Sequence, residues 1–134
     1  MENTIKRELV ISTQDHDTLK QYLQKNTMDL NYDRVQAAKL SERLKSAHVV
    51  NNNDLDRDTI GLNSTVTIRY TIARLNQTHT LGLPGDRVHQ NDSLSVISPL
   101  GMALLGRKKG DSFTLKTARG NRIYTITEVY NPVD

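Results

Sequence analysis

The chain has 134 residues, 36% of them hydrophobic, with no Trp and one Phe, so any core rests on Leu, Ile and Val. That length suffices for one compact domain or two very small ones, burying roughly two-thirds of the unfolded surface. The net charge of +3 is uneven: residues 1–58 hold nine Lys/Arg against ten Asp/Glu, whereas residues 59–134 hold nine against five.

Several classes are excluded. No apolar run approaches the length of a membrane span. Glu2, Lys6, Arg7 and Glu8 interrupt the start, and Leu9-Val10-Ile11 is too short for the core of a secretory leader. Zero cysteines exclude a disulfide framework, a thiolate metal site and a cysteine nucleophile. A cytoplasmic protein is the expectation.

The first half reads helical. Ser12, Thr13 and Asp15 offer N-cap oxygens before a helix over 14–25, with Leu19, Tyr22 and Leu23 on one face. Residues 26–31 carry turn chemistry. A second helix over 32–47 places Ala37, Leu40, Leu44 and Ala47 on an a/d seam that extends back through Asp33 to Leu30. Two such helices form an antiparallel hairpin that must pack on something, since neither is stable alone.

The polar stretch 51–58 reads as a linker, after which the period changes to two. Val66, Ile68, Tyr70 and Ile72 alternate with polar residues over 64–74, a half-buried strand. A turn is expected at Asn76-Gln77, a returning strand over 78–83 and a short strand over 94–97. Ser98 reads as an N-cap with Pro99 at the first helical position of a short helix ending at Gly106. Strands over 112–117 and 122–130 flank a tight hairpin at Arg119-Gly120-Asn121. The expected class is α+β: an N-terminal helical hairpin (1–47), a linker (48–58), and an antiparallel sheet domain with one short helix (59–134).

Little in this sequence looks catalytic. His16, His48, His79 and His89 form no i, i+4 pair, and no nucleophile elbow occurs. The segment 101–108 echoes a phosphate-binding loop, but Gly106 is followed by Arg107, Lys108 and Lys109, without the Lys-Ser/Thr that the motif needs. Asp29 and Asp33 at the hairpin tip are acids that two-carboxylate magnesium binding would use, or else a solvated helix N-terminus. No catalytic residue, metal ligand or cofactor is expected. Leu100, Met102, Leu104 and Leu105 cannot all face the sheet from so short a helix. Leu104 and Leu105 are assigned to the core, and Leu100 and Met102 stand as candidates for an exposed docking surface.

At this segment the sequence resembles the C-terminal domain of the bacterial Gre transcript-cleavage factors and the Rnk-type regulators. The pattern is Ser98, Pro99, Ala103, Leu104, Leu105 and Gly106, followed by Gly110 and Asp111. A second match, residues 58–66, is similar to the family's lead-in to its first sheet strand. The resemblance implies an FKBP-like domain behind a coiled coil, binding RNA polymerase at the rim of its secondary channel through Ser98, Pro99 and Leu100, with Met102 beside them. In cleavage factors the coiled-coil tip carries an Asp-x-x-Glu pair. Here Asp29 and Asp33 are four apart, no Glu lies between Glu8 and Glu42, and the arms are short. The expected function is therefore a non-enzymatic elongation regulator of the Rnk type, monomeric, without cleavage stimulation and without a membrane partner. Two other readings stand beside it. An FKBP-type prolyl isomerase would need an aromatic pocket built from Tyr70, Phe113, Tyr124 and Tyr130. Weak nucleic-acid binding would use Arg107, Lys108, Lys109, Arg119 and Arg122.

Overall fold

A computed structural model describes residues 9–25, 33–84 and 92–132. In chain order, β1 (Val10–Ser12) leads into α1 (Thr13–Lys25), α2 (Arg34–Lys45) and β2 (His48–Val50). A 3-10 turn (Asn52–Asp54) then precedes β3 (Thr65–Tyr70), β4 (Leu75–Gly82), β5 (Ser93–Ser95), α3 (Pro99–Leu104), β6 (Ser112–Thr117) and β7 (Gly120–Tyr130).

Caps and apolar spacing set the helices. Ser12 Oγ accepts from Asp15 N at 3.1 Å, and Asp33 caps α2 by accepting from Gln36 N at 3.0 Å. Leu19 on α1 and Ala37, Leu40 and Leu44 on α2 are the buried stripe that the spacing predicted. Asp33 departs from the expected seam: it is an exposed cap, because the helix starts one residue after it.

The pairing of β1 with β2 is not visible as a pattern in the sequence. The two strands run parallel, Val10 opposite His48 and Ser12 opposite Val50. Parallel strands need a crossover connection, and the two helices supply it. Residues 48–58, expected as a linker, thus begin with a strand and continue into the 3-10 turn.

The second sheet has the order β5-β4-β3-β7-β6. All its neighbours are antiparallel except β5, which lies parallel to β4 at the edge of the sheet. The first connection differs from expectation. The turn is at residues 71–74, with Arg74 at φ 55° and Leu75 paired to Tyr70, so Asn76 and Gln77 lie inside β4. Burial of Val66 and Ile68 fixes the register of β3, and the backbone reverses as soon as Tyr70 is passed. The last hairpin closes through residues 118–119, with Thr117 opposite Gly120 at φ 113°.

One hydrophobic cluster joins both parts of the chain. It holds Leu9, Ile11, Leu19, Leu40 and Leu44 from the N-terminal segment with Val66, Ile68, Phe113, Tyr124 and Ile126 of the sheet. Met102, Leu104 and Leu105 of the α3 segment belong to the same cluster. Its approach to β5 is close: a Cβ on Gly101 would lie 2.0 Å from the Ser95 carbonyl oxygen. Backbone cannot yield there as a side-chain tip would, so Gly101→Ala should lower stability by about 2–3 kcal/mol, read as a fall in the denaturant midpoint. An unchanged midpoint would show that the segment is free to shift.

Candidate docking site at the Ser98–Pro99 turn

The turn before α3 is held by its own polar atoms. Ser98 Oγ accepts from Gly101 N at 3.0 Å and donates to Ser95 O at 2.6 Å, while Ser95 Oγ accepts from Ile97 N at 3.2 Å. Pro99 follows as the first helical residue, where its missing N–H costs nothing. Pro99 is exposed and Leu100 half-buried at the margin of the core.

Met102 is a correction to the expected surface. It is 8% exposed and belongs to the core with Leu104 and Leu105. The cluster that takes in Met102 includes Leu19, Leu40 and Leu44 of the helices as well as sheet residues, so apolar cover is not limited to the sheet.

Three side chains of the hairpin, none singled out by motif, hold the turn and the domain against the helices. Gln36 Nε2 donates to Ile97 O at 2.9 Å. The Arg43 guanidinium donates to Met102 O and, at 3.5 Å, to Leu105 O, the carbonyls that the end of α3 leaves open. Burial, then the nearby Arg107 charge, pulls the Arg43 pKa downward. Asp15 Oδ2 accepts from Leu62 N at 3.0 Å, and Gly61 leaves room for it, since a Cβ there would lie 2.5 Å from that oxygen. Helical spacing marks these residues as polar and off the apolar stripe, but not what they meet.

The other named residues fall apart in space. Lys108 pairs with Asp56 and Lys109 with Glu128, each at 3.2 Å. Hydrogen bonds from Asp58 N and then Lys108 hold the Asp56 carboxyl below its usual range. Arg107 donates from Nε to Ala103 O at 2.7 Å and lies over Phe113. Arg119 and Arg122 are at the far hairpin, Arg122 over the Tyr70 ring. Of the five cations proposed for nucleic acid, Lys108 and Lys109 thus lie beside carboxylates, and Arg107 and Arg122 lie over aromatic rings. Tyr70, Tyr124 and Phe113 pack on one another with centroids 5.5 and 5.6 Å apart, and Tyr130 is exposed near the opposite end of the sheet. These aromatics do not jointly enclose a proline-sized site. Asp29 lies outside the described residues, and Asp33 is a helix cap. No His/Asp/Glu group suited to a metal ion occurs among the described residues, nor does a helix long and apolar enough to cross a membrane.

This arrangement defines a class: a helical hairpin docked on a curled, mainly antiparallel sheet domain of FKBP-like type. The family model "Transcription elongation factor, GreA/GreB, C-term" matches residues 55–131, which include the 58–66 lead-in, the Ser98–Pro99 turn and Gly110-Asp111. The chain belongs to this GreA/GreB family. It is 28% identical over 92 residues to transcription elongation factor GreA of Syntrophobacter fumaroxidans, covering 69% of this chain and 59% of that protein. To GreA of Trichlorobacter lovleyi it is 30% identical, over 78% of this chain and 65% of that one. It thus spans less than two-thirds of the length of either relative. A solved GreA/GreB elongation factor from Nitrosomonas europaea superposes with a TM-score of 0.75 at 26% identity, covering 94% of this chain and all of that one.

Two predictions follow the geometry. Ser98→Ala removes the cap and should cost about 1 kcal/mol, measured by chemical denaturation. Burial raises the Asp15 pKa, opposed by the Leu62 N–H. The folded state therefore holds the proton more tightly than the unfolded one, and Asp15 penalises stability as pH rises through the carboxylate range. Asp15→Asn should be at least as stable as wild type at neutral pH, the gap closing on acidification. Asp15→Ala leaves Leu62 N without its acceptor and should lose about 1–2 kcal/mol. An Asn variant less stable than wild type at neutral pH would contradict the assignment.

Proposed function

We propose that this protein binds bacterial RNA polymerase and regulates elongation at the secondary channel, without stimulating transcript cleavage. The Ser98–Pro99–Leu100 turn contacts the channel rim, and the hairpin occupies only the entrance. The observation that carries this reading is the turn itself. Its backbone is pinned by Ser95, Ser98 and Gln36, while Pro99 stands exposed and Leu100 half-buried within the family-matched region. A rigid turn with an apolar edge loses little freedom on binding.

The absence of cleavage stimulation is supported by the hairpin. The 13 residues of α1 reach about 20 Å at 1.5 Å each. The sequence between Glu8 and Glu42 contains no Glu, so the tip lacks the Asp-x-x-Glu pair of cleavage-type Gre factors.

Pull-down with core bacterial RNA polymerase tests the reading. Wild type should bind and be displaced by a competing Gre factor, and should leave the transcript of a stalled complex uncut. Leu100→Asp, confirmed folded by circular dichroism, should weaken binding about tenfold or more. Unaltered binding of that variant would remove the turn from the interface. Shortening of the stalled transcript would overturn the regulator-only reading.

A further inference from the structure

The strand register gathers two turns at one end of the large sheet. Tyr70 pairs with both Leu75 and Tyr124, Thr71 N donates to Ile123 O at 3.1 Å, and Thr117 pairs with Gly120. Residues 71–74 and 118–119 therefore lie beyond the same edge of the core. Arg69, Arg74, Lys116, Arg119 and Arg122 all belong to this end. The stretches that build the sheet there, residues 59–84 and 112–127, contain no Asp or Glu. Among the described residues, the lysine–carboxylate pairs are elsewhere: Glu42 with Lys45, Asp56 with Lys108, and Glu128 with Lys109. Beside these cations Ile72, at 75% exposure, and Leu75, at 60%, stand in solvent; Leu75 lies opposite Tyr70 and so on the Tyr70–Tyr124 face, whereas Ile123, next to Tyr124 along β7, is on the other face.

Positive charge without local acids raises the potential of this end and attracts anionic partners. Exposed aliphatics at a turn contribute little to the fold, yet they supply apolar area that a partner can cover. We propose that this end of the sheet docks an acidic peptide segment carrying aliphatic or aromatic side chains. Its carboxylates pair with Arg74, Arg119 and their neighbours, and its apolar groups cover Ile72 and Leu75. Nucleic acid fits less well. Single strands are held by stacking on open aromatic faces, but the Tyr70 ring has Arg122 over it at 5.0 Å and Tyr124 beside it. A phosphate backbone makes no use of Ile and Leu. The surface is distinct from the Ser98 turn, because β5 pairs with Thr80–Gly82, the end of β4 opposite the 71–74 turn. The proposal goes beyond the polymerase contact and stands or falls without it.

Fluorescence anisotropy with the full chain and a labelled Glu/Leu peptide tests it. Saturable binding at micromolar protein is expected, and replacing Glu by Gln or Leu by Ser in the probe should abolish it. Arg74→Glu with Arg119→Glu, and separately Ile72→Ser with Leu75→Ser, should each weaken binding about tenfold with unchanged thermal midpoints. Absence of binding would overturn the proposal, as would wild-type affinity in either double variant. Tighter binding of an oligouridylate of matched charge, or of anionic phosphatidylserine vesicles, would overturn it in favour of nucleic acid or a membrane surface.

Discussion

The α3 segment carries more apolar side chains than one sheet can cover, and the rest of the architecture answers that constraint. Met102, Leu104 and Leu105 are all buried on six residues of helix and the residue after it. A helix lying on a sheet hides one stripe and leaves the opposite one in water. Hiding both requires apolar neighbours beyond the sheet, and the hairpin stands beside α3, with Arg43 on the Met102 and Leu105 carbonyls. Its stripe of Leu19, Leu40 and Leu44 joins the same cluster as the sheet residues.

Polar contacts then fix the angle at which these layers meet. Apolar burial is non-directional and would tolerate sliding. Asp15 on Leu62 N, Gln36 on Ile97 O and Arg43 on the α3 carbonyls are directional, and they reach the domain at separate points. The parallel β1–β2 pair closes the base of the hairpin, with His48 N donating to Leu9 O at 2.7 Å. A Cβ on Gly106, at φ +83°, would meet Leu9 Cδ1 at 2.5 Å, so the turn after α3 passes directly under that base. Among the described residues, the helices are thus held to the domain at Asp15, Gln36 and Arg43, and at the base beside Gly106.

This docking bears on function. Gln36 and Arg43 grip the backbone on either side of the exposed Pro99, so the Ser98–Pro99 turn and the hairpin share one support. A partner that seizes the turn therefore also orients the hairpin. Lys108 and Lys109, candidates for nucleic-acid contact in the sequence, lie beside carboxylates in the fold. Lys108 and Lys109 pin the 108–111 loop to Asp56 and Glu128, and Asp111 Oδ2 accepts from Lys108 N at 2.9 Å. Gly110 and Asp111 of the family motif are structural there: Gly110 N donates to Ile126 O and Ile126 N donates to Asp111 O, both at 2.8 Å.

Local physics was legible in the sequence. Helix spacing gave Leu19, Ala37, Leu40 and Leu44 as buried, period-two alternation gave Val66 and Ile68, and cap chemistry gave Ser98, Pro99 and Gly106. Each depends only on neighbours a few residues away. What the tertiary structure decided is which surfaces become neighbours. Met102 reads as exposed until the joint cluster of helices and sheet takes it in. Asp15 reads as a candidate helix cap, and Gln36 and Arg43 as polar residues off the apolar stripe, until their partners arrive from 47, 61 and 59 residues away. Val10–Ser12 and His48–Val50 become a sheet only because the hairpin returns one beside the other. The 71–74 turn likewise follows from where the buried pairs of β3 align with β4 and β7. A one-dimensional pattern records which side of an element is apolar, but the partner of a polar group is set by the packing of distant elements, and no local rule encodes it.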